Sequence, residues 1–294
     1  MSFLSYLING ISLGSVYAII ALGYTMVYGI AKMLNFAHGD VIMVGGFIIY
    51  TCMSSLGLSP ILSIVVAMIG CTVLGVTIER IAYRPLRNAG SPLAVLITAI
   101  GVSYLLQNLA LLIFGADTKS FQSVVGMEPI AVAGGQMMIS GETIVTILVS
   151  VVIMIALTTF VKYTKAGRAM VAVSEDRGAA QLMGVNVNGT IALTFAIGSG
   201  LAAVAGALLC SAYPALSPYV GSMPGIKAFV AAVFGGIGSI PGAMIGGILL
   251  GVIENLSKAY ISSQLSDAIV FSVLIVVLLV RPTGILGKNI QEKV

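Results

Sequence analysis

Charged residues are scarce in this chain: only 8% of its 294 residues are Asp, Glu, Lys or Arg, whereas 59% are hydrophobic. Soluble globular domains carry about 25% charged residues, so the composition excludes a water-soluble protein. The chain also has no tryptophan and only three cysteines. Cys52, Cys71 and Cys210 lie inside apolar runs without metal-ligand spacing, so we predict neither a disulfide framework nor a redox site.

The motifs of common catalytic sites are missing as well. With a single histidine the chain cannot hold an HExxH zinc motif, and it has no GxSxG. Its one Gly-Lys pair, Gly287-Lys288, lacks the upstream glycine of a phosphate-binding loop. We therefore predict no catalytic residues, no metal site and no cofactor on this chain. ATP hydrolysis, if transport needs it, must take place on a partner.

The apolar runs carry few charges of their own. The sequence shows no string of buried Asp, Glu, Arg or Lys of the kind that ion-coupled carriers use. The nearest approaches are Glu254, near the end of a span, and Glu79 with Arg80, a pair that we expect at the membrane interface. This pattern argues against a carrier driven by a proton or sodium gradient.

Apolar runs near 20 residues long, the length that crosses a bilayer, divide the chain. They predict an all-α polytopic membrane protein in which residues 1–294 form one transmembrane domain with about 8–9 segments. The first run has no Lys or Arg before Lys32, which indicates a span and not a cleaved signal. A short piece at 225–237 could cross or be re-entrant, and both remain open. The longer candidates are 5–30, 39–57, 60–79, 92–114, 143–161, 189–213, 241–257 and 266–280.

The positions of Lys and Arg predict the orientation. Most of the 14 basic residues fall in segments 31–40, 79–91 and 162–189 and in the tail that includes Lys288 and Lys293. Because cytoplasmic connections are rich in Lys and Arg, we expect the N-terminus outside and the C-terminus in the cytosol. Basic residues beside apolar runs follow this rule and do not form a phosphate-binding patch, so no nucleic-acid partner is predicted.

Small residues recur at a spacing of four. Such pairs let transmembrane helices approach closely, so we predict tight helix contacts along several faces. The pairs are Gly10/Gly14, Gly242/Gly246, Gly247/Gly251 and Ala202/Gly206.

The densest charged segment, residues 164–188, lies between two apolar runs. Ser174 is predicted to cap a short helix that has Glu175 and Asp176 in its first turn and ends at Gly184. The apolar side of this helix would carry Ala179, Leu182 and Met183. The segment is then either a solvated connection or a docking element for a cytosolic protein.

Two stretches interrupt the apolar pattern with polar or glycine-rich sequence, around 34–40 and within 224–255. Interrupted helices indicate a translocation path, because unwound backbone can line a cavity. For His38 and Asp40 the alternative is a hydrogen-bonded pair that caps the second span at the cytosolic surface. The candidate path residues are Asn35, His38, Gly39, Asp40, Ser199, Gly235, Gly236, Gly238, Ser239 and Pro241.

Four stretches together carry a family resemblance. They are YGIAKMLNFAHGDVIMVGGF at 28–47, GRAMVAVSEDRGAAQLMGVNV at 167–187, AAVFGGIGSIPGAMIGG at 231–247 and LLVRPTGILG at 278–287. With them the chain resembles the permease subunits of bacterial high-affinity branched-chain amino acid ABC importers, most closely the shorter, LivH-type permease. The resemblance runs over essentially all 294 residues.

The resemblance implies a type II-like ABC importer permease in the bacterial inner membrane, a transport subunit and not an enzyme. Its partners would be a second permease (as a heterodimer), two cytosolic ATPases that bind ATP and Mg²⁺, and a periplasmic or lipid-anchored amino-acid-binding protein. The substrates would be leucine, isoleucine and valine, moved by alternating access. The residues that match the family's ATPase coupling loop are Gly167, Arg168, Glu175, Asp176, Ala179, Ala180, Leu182, Gly184 and Val185.

Two other functions remain open at this stage. One is a stand-alone channel or facilitator for a small neutral solute, in which the 164–188 segment is a plain connection. The other is an ABC permease for urea or short amides. An intramembrane enzyme is disfavoured, because no nucleophile and base are paired in the sequence.

Overall fold

The computed structural model describes residues 2–87, 92–132 and 137–287. Lys288 and Lys293, part of the predicted cytosolic tail, lie outside these residues. The described chain is helical with two small antiparallel strand pairs, which confirms the all-α prediction. The helices are α1 (Ser2–Ala31), α2 (His38–Ser54), α3 (Pro60–Ile78), α4 (Pro92–Phe114), α5 (Gly141–Tyr163), α6 (Lys165–Glu175), α7 (Arg177–Leu182), α8 (Val187–Ala212), α9 (Ser222–Gly235), α10 (Ile240–Tyr260) and α11 (Ser266–Val280).

The strand pairs lie in the connections between helices. β1 (Lys119–Ser120) pairs with β4 (Ala215–Leu216), which ties the segment after α4 to the segment before α9. β2 (Ile130–Val132) pairs with β3 (Met137–Ile139).

The predicted apolar runs are all helical. Within the described residues six helices are long and apolar enough to cross a membrane: Phe3–Ala31, Pro60–Leu86, Leu93–Phe114, Gly141–Tyr163, Val187–Ala212 and Ile240–Tyr260. The second of these continues α3 through a π-helical turn at Glu79–Tyr83 and a 3₁₀ turn at Arg84–Leu86. Helices α2, α9 and α11 are shorter, at 17, 14 and 15 residues.

The small-residue pairs sit where helices cross, as predicted. α1 packs along α10, and a Cβ added to Gly14 would stand 2.6 Å from the Cα of Ile248. α2 packs on α8, where a Cβ on Gly206 would stand 2.7 Å from the Ile42 carbonyl oxygen. Because apolar burial gives little drive in lipid, this close backbone contact holds the helices together.

Two helices begin inside the molecule instead of at its ends. After α1 ends, residues 32–37 turn back, so that the His38 ring lies against Gly23. Gly23 is eight residues, or about 12 Å, before the end of α1 at Ala31. The first turn of α9 meets α2 at this depth, with Gly221 and Gly225 against Gly39. The opposite end of α9 is held by the tail, because the Ile285 N–H donates to the Phe234 carbonyl at 2.9 Å.

Candidate functional site

A cavity of about 410 Å³ lies where the N-termini of α2 and α9 meet. Helix α1 contributes Tyr24, and α4 forms the facing wall. The cavity opens to the surface beside Ile100, Tyr104 and Ile226, whose side chains are exposed. Its lining residues are Tyr24, Phe36, Gly39, Asp40, Leu96, Ile100, Ser103, Tyr104, Gln107, Ser222, Gly225 and Ile226.

Glycines let the two helix starts touch through their backbones. A Cβ on Gly39 would stand 2.6 Å from the Gly221 carbonyl oxygen, and one on Gly225 would stand 2.9 Å from the Gly39 Cα. These distances are well inside van der Waals contact, so no larger residue fits without separating α2 from α9. The glycines therefore fix the closed side of the cavity.

The polar groups of the cavity gather around Asp40, which is 2% exposed. Its Oδ1 accepts a hydrogen bond from Gln107 Nε2 at 2.8 Å. The same nitrogen lies 3.4 Å from the Ser103 hydroxyl and 3.4 Å from the Ser222 hydroxyl. A carboxylate, an amide and two hydroxyls from three different helices thus converge in a pocket whose other lining residues are aliphatic, aromatic or glycine.

The structure separates the predicted path residues into three groups: residues that line the cavity, buried residues outside it, and the turn after α9. Gly39 and Asp40 line the cavity. Asn35 lies outside it, buried, and its Oδ1 accepts from the Tyr83 hydroxyl at 3.0 Å. Ser199 is buried in the contact of α8 with α3, against Gly75.

The alternative interpretation of His38 and Asp40 as a surface capping pair is wrong. Both side chains are buried, and Asp40 bonds Gln107 on α4. The His38 ring instead packs edge-on against Tyr24 at 4.7 Å between centroids, and its Nε2 has no hydrogen-bond partner among the described residues. The local sequence could not foresee this burial, because residues 32–37 fold back along α1.

The third group lies at the other end of α9. Gly236 and Gly238 have φ of +106° and +94°, and they form the turn between α9 and α10. The Ser239 hydroxyl caps α10 by accepting from the Gly242 N–H at 3.2 Å. This turn is packed against the 284–287 segment, so Gly235–Pro241 does not line the cavity.

A buried ion network, missed by the sequence analysis, joins α9, α10 and α11. Glu254, 1% exposed, accepts from Lys227 at 2.8 Å and Lys258 at 2.6 Å. Its second oxygen accepts from the Tyr17 hydroxyl at 2.9 Å, and Lys227 also pairs with Asp267 at 2.7 Å. The sequence named Glu254 as the nearest approach to a string of buried charges, and the structure adds Lys227 as its buried partner, whereas Lys258 and Asp267 are partly exposed. Two lone charges of opposite sign in successive apolar segments were the available signal.

The 164–188 segment forms two helices, not the single helix predicted to start at Ser174. Thr164 caps α6, and its hydroxyl oxygen accepts from the Gly167 N–H at 2.9 Å. Ser174 lies inside α6 and donates to the Val171 carbonyl at 2.7 Å. Asp176 caps α7 by accepting from the Ala179 N–H at 3.0 Å. The predicted end at Gly184 is confirmed, with φ of +82°.

One side of α7 is packed against the rest of the protein, and the other side is exposed. Ala180 is buried, whereas Leu182 and Met183 are 90% and 84% exposed. Ala179 and Glu175 are exposed too, and Val185 is half-buried. In α6, Gly167 is buried against Phe160 and Val161, and Arg168 is exposed.

One arginine attaches α7 to the end of α1, and a second joins the turn after α3 to the start of α8. The Arg177 guanidinium donates to the carbonyl of Ala31, the last residue of α1. Arg87 forms an ion pair with Glu79 and donates to Asn188 Oδ1 at 2.7 Å. Burial, with the positive charge of Arg177, lowers the pKa of Arg87 from 12.5 to about 10, so the guanidinium stays protonated at neutral pH.

The three cysteines are free and buried, as the apolar runs predict. Across residues 2–87, 92–132 and 137–287, no group of three His, Cys, Asp or Glu side chains is placed to hold a metal ion.

Comparison with known proteins gives one consistent result. A family model described as "Branched-chain amino acid transport system / permease component" matches residues 6–278. The high-affinity branched-chain amino acid transport system permease protein LivH of Salmonella typhimurium is 47% identical over 302 residues, covering 99% of this chain and 98% of the relative. Protein BraD of Pseudomonas aeruginosa, described in the same words, is 45% identical with the same coverage. A probable LivH of Methanocaldococcus jannaschii is 29% identical over 92% of this chain and 88% of that one.

Proposed function

The chain belongs to the family of permease components of branched-chain amino acid transport systems, and from this premise we propose that it forms part of the pathway by which an ABC importer moves leucine, isoleucine and valine across the bacterial inner membrane. The observation that carries the proposal is identity of 45–47% to LivH and BraD over nearly their whole length. A stand-alone channel or a urea permease has no comparable support.

We propose that the whole chain acts as one transmembrane unit within a larger complex. A second permease completes the pathway, two cytosolic ATPases bind ATP and Mg²⁺, and a periplasmic or lipid-anchored binding protein delivers the amino acid. The absence of a phosphate-binding loop in the sequence supports this division of labour.

Helices α6 and α7 are the proposed coupling element. The support is physical: Leu182, the last residue of a six-residue helix, and Met183, which follows it, are both exposed, and so short a helix is not stable alone. Large apolar side chains in such a position favour insertion into a groove of a partner. The Arg177 contact to Ala31 would then pass a movement of the ATPases to α1.

We propose that the end of the molecule carrying α6 and α7 faces the cytosol and that the N-terminus lies outside. The abundance of Lys and Arg at 79–91 and 162–189 supports this orientation. Alternating access would then open the pathway to one side of the membrane at a time.

The test is ATP-driven uptake of radiolabelled leucine, isoleucine and valine into liposomes that contain the importer reconstituted from this chain and its cognate partners. We expect wild-type uptake to require ATP and the binding protein. Leu182→Asp should abolish most uptake while ATP hydrolysis continues, because a charge in an apolar groove prevents docking.

Leu182→Met is the matched control, since it keeps a large apolar side chain and should retain wild-type uptake. Mass spectrometry of the complex in mild detergent checks the partners. Uptake without ATPases, or wild-type uptake by Leu182→Asp, would contradict the proposed coupling role.

A further inference from the structure

We propose that the cavity between the N-termini of α2 and α9 binds the transported α-amino acid and that the Asp40 carboxylate receives its ammonium group. The proposal rests on the function proposed above and places a substrate site within the membrane-spanning part of this chain.

The first argument is the incomplete pairing of Asp40. An ionised carboxylate offers about four acceptor positions, yet the described residues give this one only two side-chain donors, Gln107 and the Ser103 hydroxyl, and both are neutral. No Lys, Arg or His pairs with it within those residues. Burial of a carboxylate is costly unless a counter-charge accompanies it. A ligand ammonium with three donors supplies that charge from the cavity, which Asp40 lines.

The second argument is the anion-binding end of the same cavity. Helix α9 is 14 residues long, and no side chain among the described residues caps its N-terminus. Helix N-termini favour negative groups, because their N–H donors and dipole point outward. Ser222, the first residue of α9, adds a hydroxyl to the lining. Since Gln107 Nε2 lies 2.8 Å from Asp40 and 3.4 Å from Ser222, partners for both ends of a zwitterion stand side by side.

The third argument is the match of the remaining walls to an aliphatic side chain. Four apolar side chains line the remaining walls of the cavity: Phe36, Leu96, Ile100 and Ile226. The volume of about 410 Å³ lies within the range of about 300–1,000 Å³ that is usual for small-molecule sites. Branched aliphatic amino acids suit this combination of one carboxylate, a helix N-terminus and apolar walls. Urea and short amides lack a net ammonium and would leave Asp40 uncompensated.

The experiment measures equilibrium binding of radiolabelled leucine to the purified importer complex in the absence of the binding protein. The analogue 4-methylpentanoate, which lacks the ammonium group, is measured as a competitor. Asp40→Asn keeps the shape of the side chain and removes its charge. We expect leucine to bind roughly tenfold to hundredfold more weakly to this variant. 4-Methylpentanoate should bind at least as tightly as it does to wild type, because the variant removes a carboxylate that this ligand leaves without a counter-charge.

Asp117→Asn is the control, because it makes the same chemical change at an exposed residue outside the cavity and should leave leucine binding unchanged. The site is refuted if the wild-type complex transports leucine but binds none without the binding protein. It is also refuted if Asp40→Asn leaves leucine binding within twofold of wild type, or weakens both ligands equally. These results leave the proposed function standing. A wild-type importer that takes up none of the three amino acids overturns both proposals.

Discussion

Removal of Glu254 should destabilise the protein more than any other single change in the buried ion network. The Glu254 carboxylate is 1% exposed and holds three donors, on Lys227, Lys258 and Tyr17. Glu254→Leu leaves the Lys227 ammonium, 5% exposed, with Asp267 as its one remaining partner. Breaking a buried pair by removing one partner costs about 3–5 kcal/mol. Because Asp267 still compensates Lys227, we expect Glu254→Leu to lower the free energy of unfolding by about 3 kcal/mol, the lower end of that range.

Two further variants make the test quantitative: Lys227→Met, and the double variant that combines it with Glu254→Leu. Lys227→Met leaves Glu254 with Lys258 and the Tyr17 hydroxyl, so we expect a smaller loss of roughly 1–3 kcal/mol. The double variant removes both buried charges and replaces them with apolar side chains of similar size. Such replacements are often near neutral, so its stability should lie within about 1–2 kcal/mol of wild type. The coupling energy between the two positions should therefore be at least ~2 kcal/mol.

The assay is reversible unfolding of the purified protein in mixed detergent micelles, followed by loss of helicity as the denaturing detergent increases. Asp117→Asn serves as an exposed acidic control that should not shift the midpoint. If the free energies of the two single variants add to that of the double variant within about 0.5 kcal/mol, the two side chains do not interact. This result would refute the claim that the ion pair between Glu254 and Lys227 stabilises the protein.

Two further predictions use the same purified protein. Gly221→Ala should prevent stable association of α9 with α2 and lower the yield of folded protein, because its Cβ would collide with the Gly39 carbonyl. The control is Gly101→Ala, whose Cβ meets no described residue within 4 Å and which should express normally. Equal yields of the two variants would contradict the contact. Asp176→Ala removes the cap of α7 at a cost of about 1 kcal/mol. Amide hydrogen exchange in 177–182 should therefore be roughly fivefold faster, whereas exchange in α8 should not change. Unchanged exchange in α7 would refute the cap.

The sequence predicts the helices well because lipid imposes a simple rule. Every backbone polar group in the bilayer must be satisfied within a helix, so an apolar run of sufficient length indicates one directly. The small-residue pairs were equally informative, as Gly10/Gly14 and Gly247/Gly251 meet each other across α1 and α10. The error at Ser174 has a local cause. Thr164 and Asp176 offer the same capping chemistry, and sequence alone does not rank three neighbouring caps.

The site was only partly predictable, because it is made by elements far apart in the chain. Gly39 and Asp40 stood out within an interrupted stretch, but Ser222 is set beside them only by the close approach of α9. Ser103 and Gln107, four residues apart in the apolar run 92–114, share one face of a helix. That spacing was a usable signal for a polar stripe facing a cavity. The structure places Ser199 and Gly235–Pro241 away from the cavity that Asp40 lines, because polarity within a span does not reveal which cavity a residue faces.

Helix α1 contacts the ion network, the cavity and the proposed coupling element. Its Tyr17 hydroxyl bonds Glu254 of the ion network, Tyr24 lines the cavity, and the Ala31 carbonyl accepts from Arg177 of the coupling element. Between these points α1 is packed against α10 by glycine contacts that leave no room for independent movement. A shift of α7 that keeps the Arg177 bond must therefore move the end of α1 or strain it. One helix thus forms part of the cavity wall and also contacts α7, which is the arrangement that the proposed coupling requires.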